Sequence, residues 1–357
     1  MRLKYKFSLI LIVSISITAL IESVSSYTMQ RKIIDAVMYD EAVLIGHQFE
    51  QSLIATQQKT TTISEFITTL PSVKQAFAEQ NRDQLIEVLL PAYQILHDKH
   101  GYSQAQFHIP PSTSFLRLHD ITKYGDDLSM MRETVLEANH NQQIYHGIES
   151  GISGVSIRSV VPMTYKDEHI GTFELGLQLN EILDNLKDSS DVESGIFMDV
   201  NLLNKSLGQE HKLNEDPFFG SFKLINTTKP KLMQVLASES ELIRVKDKQF
   251  YTQNIRNFEF SVISMPLRDF SNRKIGVVIL AKDFSYYHDL ANISLVRTMS
   301  ITLLGIILVA TILLILESYF LYNPLSILAN SQNKLEFEQF AKRKDEIGAI
   351  SRKLLDK

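Results

Sequence analysis

The sequence predicts an α+β protein: a long N-terminal helix, then two modules with antiparallel sheets, the whole flanked by two transmembrane helices. Three observations predict it. Apolar, uncharged runs lie near both ends of the chain. Between them a helical stretch gives way to short strand-like runs separated by Pro, Gly and Asp. The pattern of those runs then repeats weakly, at an offset of 104 residues from Pro162 to Pro266 and 105 from Gly171 to Gly276.

Composition narrows the class first. The 357 residues suffice for roughly two or three units. A net charge of −5 argues against nucleic acid as the main partner. The mean hydropathy is near zero, which excludes a polytopic membrane protein but leaves room for a few spans. There is no cysteine, hence no disulfide, no thiolate nucleophile and no Cys-ligated metal. Hydrophobic and charged fractions of 44% and 22% exclude disordered, collagen-like and repeat-array chains.

Thr298 to Leu316 is uncharged throughout and nearly covers a bilayer core at about 1.5 Å per helical residue. Tyr319, Phe320 and Tyr322 follow, as aromatics do at a lipid boundary. At the other end, Phe7 to Ile21 follows Arg2, Lys4 and Lys6, and Glu22 interrupts it. That segment is open to two readings, a cleaved signal peptide or an uncleaved anchor. The anchor is favoured because a helical apolar pattern continues directly through Ile33, Ile34, Val37 and Met38 to Phe49 and Ile54. Basic residues at the start, and Lys342, Arg343, Lys344, Arg352 and Lys353 in the tail, put both ends in the cytoplasm. The expected division is residues 1–6 cytoplasmic, 7–28 first span, 29–185 long helix and membrane-distal module, 186–290 membrane-proximal module, 298–322 second span, and 323–357 cytoplasmic.

The stretch from 27 to about 100 reads as helical, broken at Pro71 and Pro91, with Gln57 to Thr62 as a solvated face. Tyr102–Ile109, Thr113–His119, Val155–Met163 and His169–Leu179 read as strands, with a helix over Leu128–Asn139 capped by Asp126 or Asp127. In the second module Ser194–Val200, Leu242–Val245, Gln249–Asn254, Phe258–Met265 and Lys274–Asp283 read as strands, and Asn201–Lys231 stays mostly unassigned. The repeat lies in Ser159-Val-Val-Pro162 with Ile170-Gly-Thr-Phe-Glu-Leu175, against Ile263-Ser-Met-Pro266 with Ile275-Gly-Val-Val-Ile-Leu280.

Gly101 to Gln178 resembles the first module of a double Cache sensory domain, the family of bacterial chemoreceptors, sensor histidine kinases and diguanylate cyclases. The resemblance is carried by Gln106-Phe-His-Ile-Pro-Pro111, Phe115-Leu-Arg-Leu-His119, Lys123-Tyr-Gly-Asp-Asp-Leu-Ser129, Gly147-Ile-Glu-Ser-Gly151, Ile157-Arg-Ser-Val-Val-Pro162 and Gly171-Thr-Phe-Glu-Leu-Gly176, in that order. Asn323-Pro-Leu-Ser-Ile-Leu328 and Asp345-Glu-Ile-Gly348 resemble the two ends of a HAMP linker, at a shorter interval than usual. The resemblance implies two PAS-like modules and a two-pass inner-membrane receptor with a large periplasmic part. It also implies a small-molecule ligand in the distal module, a homodimer, and a cytoplasmic signalling partner or output domain. No cyclase, kinase or methyl-accepting motif occurs in the sequence, so either it is a fragment or the receptor lacks its own output domain.

Ligand-binding candidates come from the first module. Strand alternation puts Phe115, Arg117 and His119 on one face, as pocket lining or as a solvent face, with Leu116 and Leu118 on the other. Arg158 lies mid-strand, exposed or fixed on an anion. Arg132 falls on a helix whose bland expectation is a solvated face. Were Arg117, Arg132 and Arg158 to converge, they would favour a carboxylate. Asp126, Asp127 and Glu149 could hold an amine, and both sets together suit an amino-acid-like zwitterion. Capping is the bland reading for Asp126 and Asp127, an exposed turn for Glu149, and a turn aromatic for Tyr124, which could otherwise stack on a ligand. His97 and His100 stand at helical i, i+3 spacing, and with His108 and His119 could offer metal ligands; but no His-Glu-x-x-His occurs and Lys99 lies between the first pair, so surface or satisfied histidines are the reading and no metal or other cofactor is expected. There is no Gly-x-Ser-x-Gly, P-loop or Gly-x-Gly-x-x-Gly, and no positive sign of an enzyme. The competing reading is a membrane-anchored binding or scaffold module, or an anchored hydrolase, without a signalling role.

Overall fold

A computed structural model describes residues 3–151, 154–207, 217–256, 258–330 and 334–356. The chain divides into two compact units, one of Ala36–Ser285 and one of Met1–Asp35 with Tyr286–Lys357.

In the first-named unit, helix α1 (Leu3–Thr69, its later part) precedes α2 (Pro71–Ala78) and α3 (Arg82–His100). Pro71 ends α1 as expected: Leu70 before it is extended, and Pro71 opens α2, where a missing N–H costs nothing. Asn81 caps α3 by accepting from the Gln84 N–H at 3.1 Å, and Gly101 closes it in the left-handed conformation. Pro91 does not break α3. It lies inside the helix on its exposed side, where a carbonyl deprived of its partner can turn to water. The Gln57–Thr62 stretch is not a uniformly solvated face either. Thr60 is fully buried because its hydroxyl donates to the Thr56 carbonyl, leaving the methyl free to pack.

The first sheet has strands β1 (Tyr102–Ile109), β2 (Thr113–Arg117), β3 (Tyr145–Gly151), β4 (Gly154–Tyr165) and β5 (Glu168–Gln178), in antiparallel order β2-β1-β5-β4-β3. Helix α4 (Glu133–Asn141) lies between β2 and β3 in the chain. The helix expected from Leu128 starts five residues late. Asp127 instead accepts from the Ser129 N–H and hydroxyl in a local turn, and Asp126 pairs with Arg117, so neither caps it.

After α5 (Asn180–Ser190), β6 (Glu193–Asp199) and α6 (Val200–Leu207) come β7 (Phe218–Phe219), β8 (Phe222–Thr227), α7 (Pro230–Leu236) and α8 (Glu239–Arg244). Much of the unassigned Asn201–Lys231 stretch is thus ordered into elements; its residues 208–216 lie outside the described ones. Leu242–Arg244 is helical rather than a strand, with Val245 as its extended C-cap, because Ser238 and Glu241 form a reciprocal capping box that starts α8. Strands β9 (Gln249–Ile255), β10 (Phe258–Arg268) and β11 (Lys274–Asp283) complete a sheet of order β7-β8-β6-β11-β10-β9.

Apart from the two-residue β7, the second sheet repeats the strand order of the first. The hairpins match in register as well: Pro162 pairs with Thr172, just after Gly171, and Pro266 with Val277, just after Gly276. Each proline lies two residues past the last pairing on its other side, at Val160 and Ser264, so its missing N–H removes no ladder bond there.

One face of the first sheet packs Phe107, Phe173, Leu175 and Met163 against Phe77, Leu85 and Leu89 of α2 and α3. Fully burying such side chains contributes about 1.5–3 kcal/mol each. A second cluster joins Ile45 and Phe49 of α1, Ile157 of the first sheet, Leu183 of α5 and Val278 of the second sheet, so the modules share a core. The opposite face of the second sheet packs Phe197, Val262 and Ile279 against Met233 and Leu236 of α7.

In the other unit, the start of α1 and helix α9 (Ser285–Glu317) carry apolar windows long enough to cross a membrane by length and composition. A π-helical turn, Ser318–Tyr322, leads to α10 (Asn323–Asn330), α11 (Lys334–Ala341) and α12 (Glu346–Leu355), where Leu328, Phe337 and Ile347 pack together. Asp345 caps α12 by accepting from the Gly348 N–H at 3.1 Å. The described tail therefore has three short helices where the HAMP resemblance implies two.

Candidate functional site

The other face of the first sheet is polar. Strand parity puts Gln106 and His108 of β1, Arg117 of β2, Glu149 of β3, Arg158 of β4 and Glu174 of β5 on it, all of them buried. Glu174 has no exposed surface, and its two oxygens take the two ends of the site. Oε1 accepts from Arg158 Nη1 at 2.7 Å and Oε2 from Arg132 Nη2 at 2.5 Å. Arg132 Nε also donates to Glu149 at 2.9 Å. The Glu149 carboxylate further accepts from the Thr134 hydroxyl at 2.9 Å and the Thr134 N–H. Two guanidinium groups and two carboxylates thus form a closed, neutral quartet.

Local structure makes room for it. Arg158 is flanked across the sheet by Gly147 and Gly176, so no neighbouring side chain crowds its stem. Arg132 sits at the N-cap position of α4, outside the helix, and points into the sheet face. Val135 and Ala138 of α4 then cover Val160 beside the quartet. Burial alone would raise the Glu174 pKa, but the fields of Arg132, Arg158 and His108 together hold it far below the usual carboxylate range. His108 is pushed down to about 3, chiefly by burial, so it is neutral at physiological pH. Its Nδ1 lies 3.3 Å from the Thr172 hydroxyl, and its Nε2 is 3.6 Å from Glu174, too far for a hydrogen bond. Arg158 Nε and Ser156 Oγ on the same face are also buried without a hydrogen-bond partner among the described residues.

Of the sequence-nominated residues, Arg132, Glu149 and Arg158 come together. Glu149 is not in an exposed turn: it is 7% exposed, on β3. Arg132 is not on a solvated helix face. Arg117 stands at the edge of the cluster, its Nη2 2.6 Å from Asp126 Oδ2. Phe115 does not share its face. A β-bulge opposite Phe107 and His108 inserts an extra residue in β2, which turns Phe115 into the apolar core against Phe77. His119, beyond the end of β2, is exposed and contacts the Ala105 backbone. Tyr124 is exposed and stacks under the Arg82 guanidinium at 3.5 Å, and Asp127 is exposed in its turn. Neither reaches the quartet. Sequence reasoning missed Glu174. Its signal was present: an acid two residues from Thr172 and from Gly176 falls on the Arg158 face of a strand otherwise apolar on its reverse.

These features define a class: a body of two repeated α+β modules, with one repeat carrying a buried polar face. The chain belongs to the family described as the double sensory domain of two-component sensor kinases, which residues 42–288 match. No curated protein matches the chain. Among solved structures it is similar to the ligand-binding domain of the Campylobacter jejuni chemoreceptor Tlp3 in complex with L-valine, with 11% identity, 72% of this chain and 97% of that one covered, and a TM-score of 0.44. A domain of a sensory box/GGDEF family protein from Vibrio parahaemolyticus gives 14%, 70%, 96% and 0.44. The sensor domain of the V. cholerae histidine kinase DctB gives 13%, 69%, 97% and 0.42.

Proposed function

We propose that the chain is a transmembrane sensory receptor that binds a small ligand on the polar face of its first module and passes the resulting change to its cytoplasmic tail. The observation that carries this reading is the fully buried Arg132–Glu174–Arg158 arrangement with Glu149. A buried ionic network is a poor way to gain stability and is strongly disrupted when one member leaves. A zwitterion can exchange into it one for one: its carboxylate replaces a glutamate on a guanidinium, and its ammonium takes the released carboxylate. The charge balance is kept, which favours an amino-acid-like ligand over a simple carboxylate. Arg117 closes the edge of that face, and His119, Tyr124, Asp126 and Asp127 belong to the segment that follows β2.

In this reading residues 7–28 and 298–322 span the inner membrane, 29–185 and 186–290 are the periplasmic modules, and 323–357 form a cytoplasmic HAMP-like linker. A second copy pairs along α1, and a cytoplasmic output partner reads the tail. Differential affinity of about 1–3 kcal/mol between two packings suffices for 5–150-fold coupling. The test uses the full chain in lipid nanodiscs and a panel of amino acids and dicarboxylates. A saturable thermal shift, lost in Arg158→Ala and weakened in Arg117→Ala, supports the reading. A shift that survives Arg158→Ala, or turnover of the bound compound, overturns it.

A further inference from the structure

Between the two modules lies a second concavity, a cleft of about 260 Å³. Met131 and Leu136 of the first module wall one side, and Phe270 and Ile275 of the second wall the other. The modules touch closely beside it. A Cβ on Gly147 of β3 would lie 2.8 Å from the Phe270 Cα, and the Tyr145 and Phe270 rings meet edge to face at 6.3 Å. The cleft's charges are unbalanced. Three carboxylates line it, Glu133, Glu149 and Asp269, against one guanidinium, Arg273. Arg273 is already engaged, with Nε and Nη2 on Asp269 Oδ2 at 2.9 and 2.7 Å. Glu149 is held by Arg132 at 2.9 Å. That leaves Glu133, 57% exposed in its side chain and held among the described residues only by a loose ion pair to Arg273 Nη2 at 3.6 Å.

We propose that this cleft is a second binding site, for a small organic cation with an apolar body: an amine whose ammonium pairs with Glu133 while its hydrocarbon part enters between Met131, Leu136 and Phe270. Among the described residues the cleft's one guanidinium, Arg273, is shared between Asp269 and Glu133, so the lining carries more negative than positive charge. The apolar walls, Phe270 among them, desolvate the body of the ligand. An occupant would bridge the first turn of α4 to the β10–β11 turn, so it would set the spacing of the two modules. The proposal goes beyond the polar-face reading, and neither Glu133 nor Leu136 takes part in that site.

The test uses the full chain in nanodiscs, with isothermal titration of phenethylamine and isoamylamine against phenylacetate and isovalerate. Saturable binding of the amines and none of the acids is expected. Glu133→Gln should weaken amine binding at least tenfold, and Leu136→Trp, which fills the cleft, should abolish it, both at unchanged circular dichroism. Glu133→Gln should leave the amino-acid thermal shift of the polar face intact, which separates the two sites. Preference for the acids, no saturable amine binding, or amine binding kept at full strength in Glu133→Gln would overturn the proposal.

Discussion

Arg158 and Glu174 occupy the same register positions in the first sheet as Val262 and Ile279 in the second. Arg158 pairs with Gly176 and Glu174 with Val160; Val262 pairs with Ala281 and Ile279 with Ser264. One scaffold therefore carries a buried ion pair in its first copy and a dry aliphatic pair in its second, Val262 and Ile279 being essentially unexposed.

That correspondence predicts a non-additive mutant pair. Glu174→Gln leaves two buried guanidinium groups short of a carboxylate and should destabilise the chain by about 3–5 kcal/mol. Arg158→Val with Glu174→Ile leaves Arg132 with Glu149 and should cost less than Glu174→Gln alone. Denaturant unfolding of the three proteins checks it.

Acid sensitivity should trace to His108. Its folded pKa, pushed down to about 3, lies below the ordinary histidine value of 6.5. The unfolded chain therefore binds the proton first. The stabilisation is complete above the unfolded value and is lost as pH falls towards the folded one. Between pH 6 and 4 this removes about 1.4 kcal/mol per pH unit, and His108→Gln should flatten the stability profile there by that slope. Glu174 acts at lower pH: its depressed pKa stabilises the fold above the ordinary carboxylate value and withdraws that support below about pH 4.

The two Ile-Gly pairs should prove sterically required. A Cβ at Gly171 would lie 2.2 Å from the His108 carbonyl oxygen, with φ at +138°, and one at Gly276 would lie 2.4 Å from the Phe197 carbonyl oxygen. Gly171→Ala and Gly276→Ala should each lower stability by about 1–3 kcal/mol or more, measured by thermal unfolding. Gly125→Ala, where nothing lies within 4 Å, is the control for left-handed backbone alone.

Membrane topology is open to direct labelling because the sequence has no cysteine. Single-cysteine variants at Gln58 and Lys353 should react with an impermeant maleimide from outside and only after permeabilisation, respectively. Labelling of Lys353→Cys in intact cells would contradict the two-pass arrangement.

Most strands were legible because one-face burial imposes a period of two, and Lys274–Asp283 was read at its observed bounds. The misreadings have separate causes. The glycines that flank Glu149 read as a turn, but Gly147 is there to admit Phe270. Phe115 was put on the wrong face because a bulge leaves no mark in the apolar pattern. Leu242–Val245 is a short apolar run, ambiguous by period, and the Ser238–Glu241 box that decides it was present in the sequence. Half of the quartet was nominated with the wrong environment, since pairing depends on register that no single strand records.

The segment ahead of α4 is tied to β2 by backbone. Ser114 N–H donates to the Asp126 carbonyl, Gly125 N–H to that of Ser114, and Leu128 N–H to that of Ser112. While these bonds stand, the margin of the first sheet offers no free amide row to another chain along this stretch. Lifting the flap would bare three backbone couplings together and break the Arg117 clasp with them. Access to the polar face from this side and protection of the sheet against self-association are then one latch, and a first module held ajar should be the aggregation-prone form.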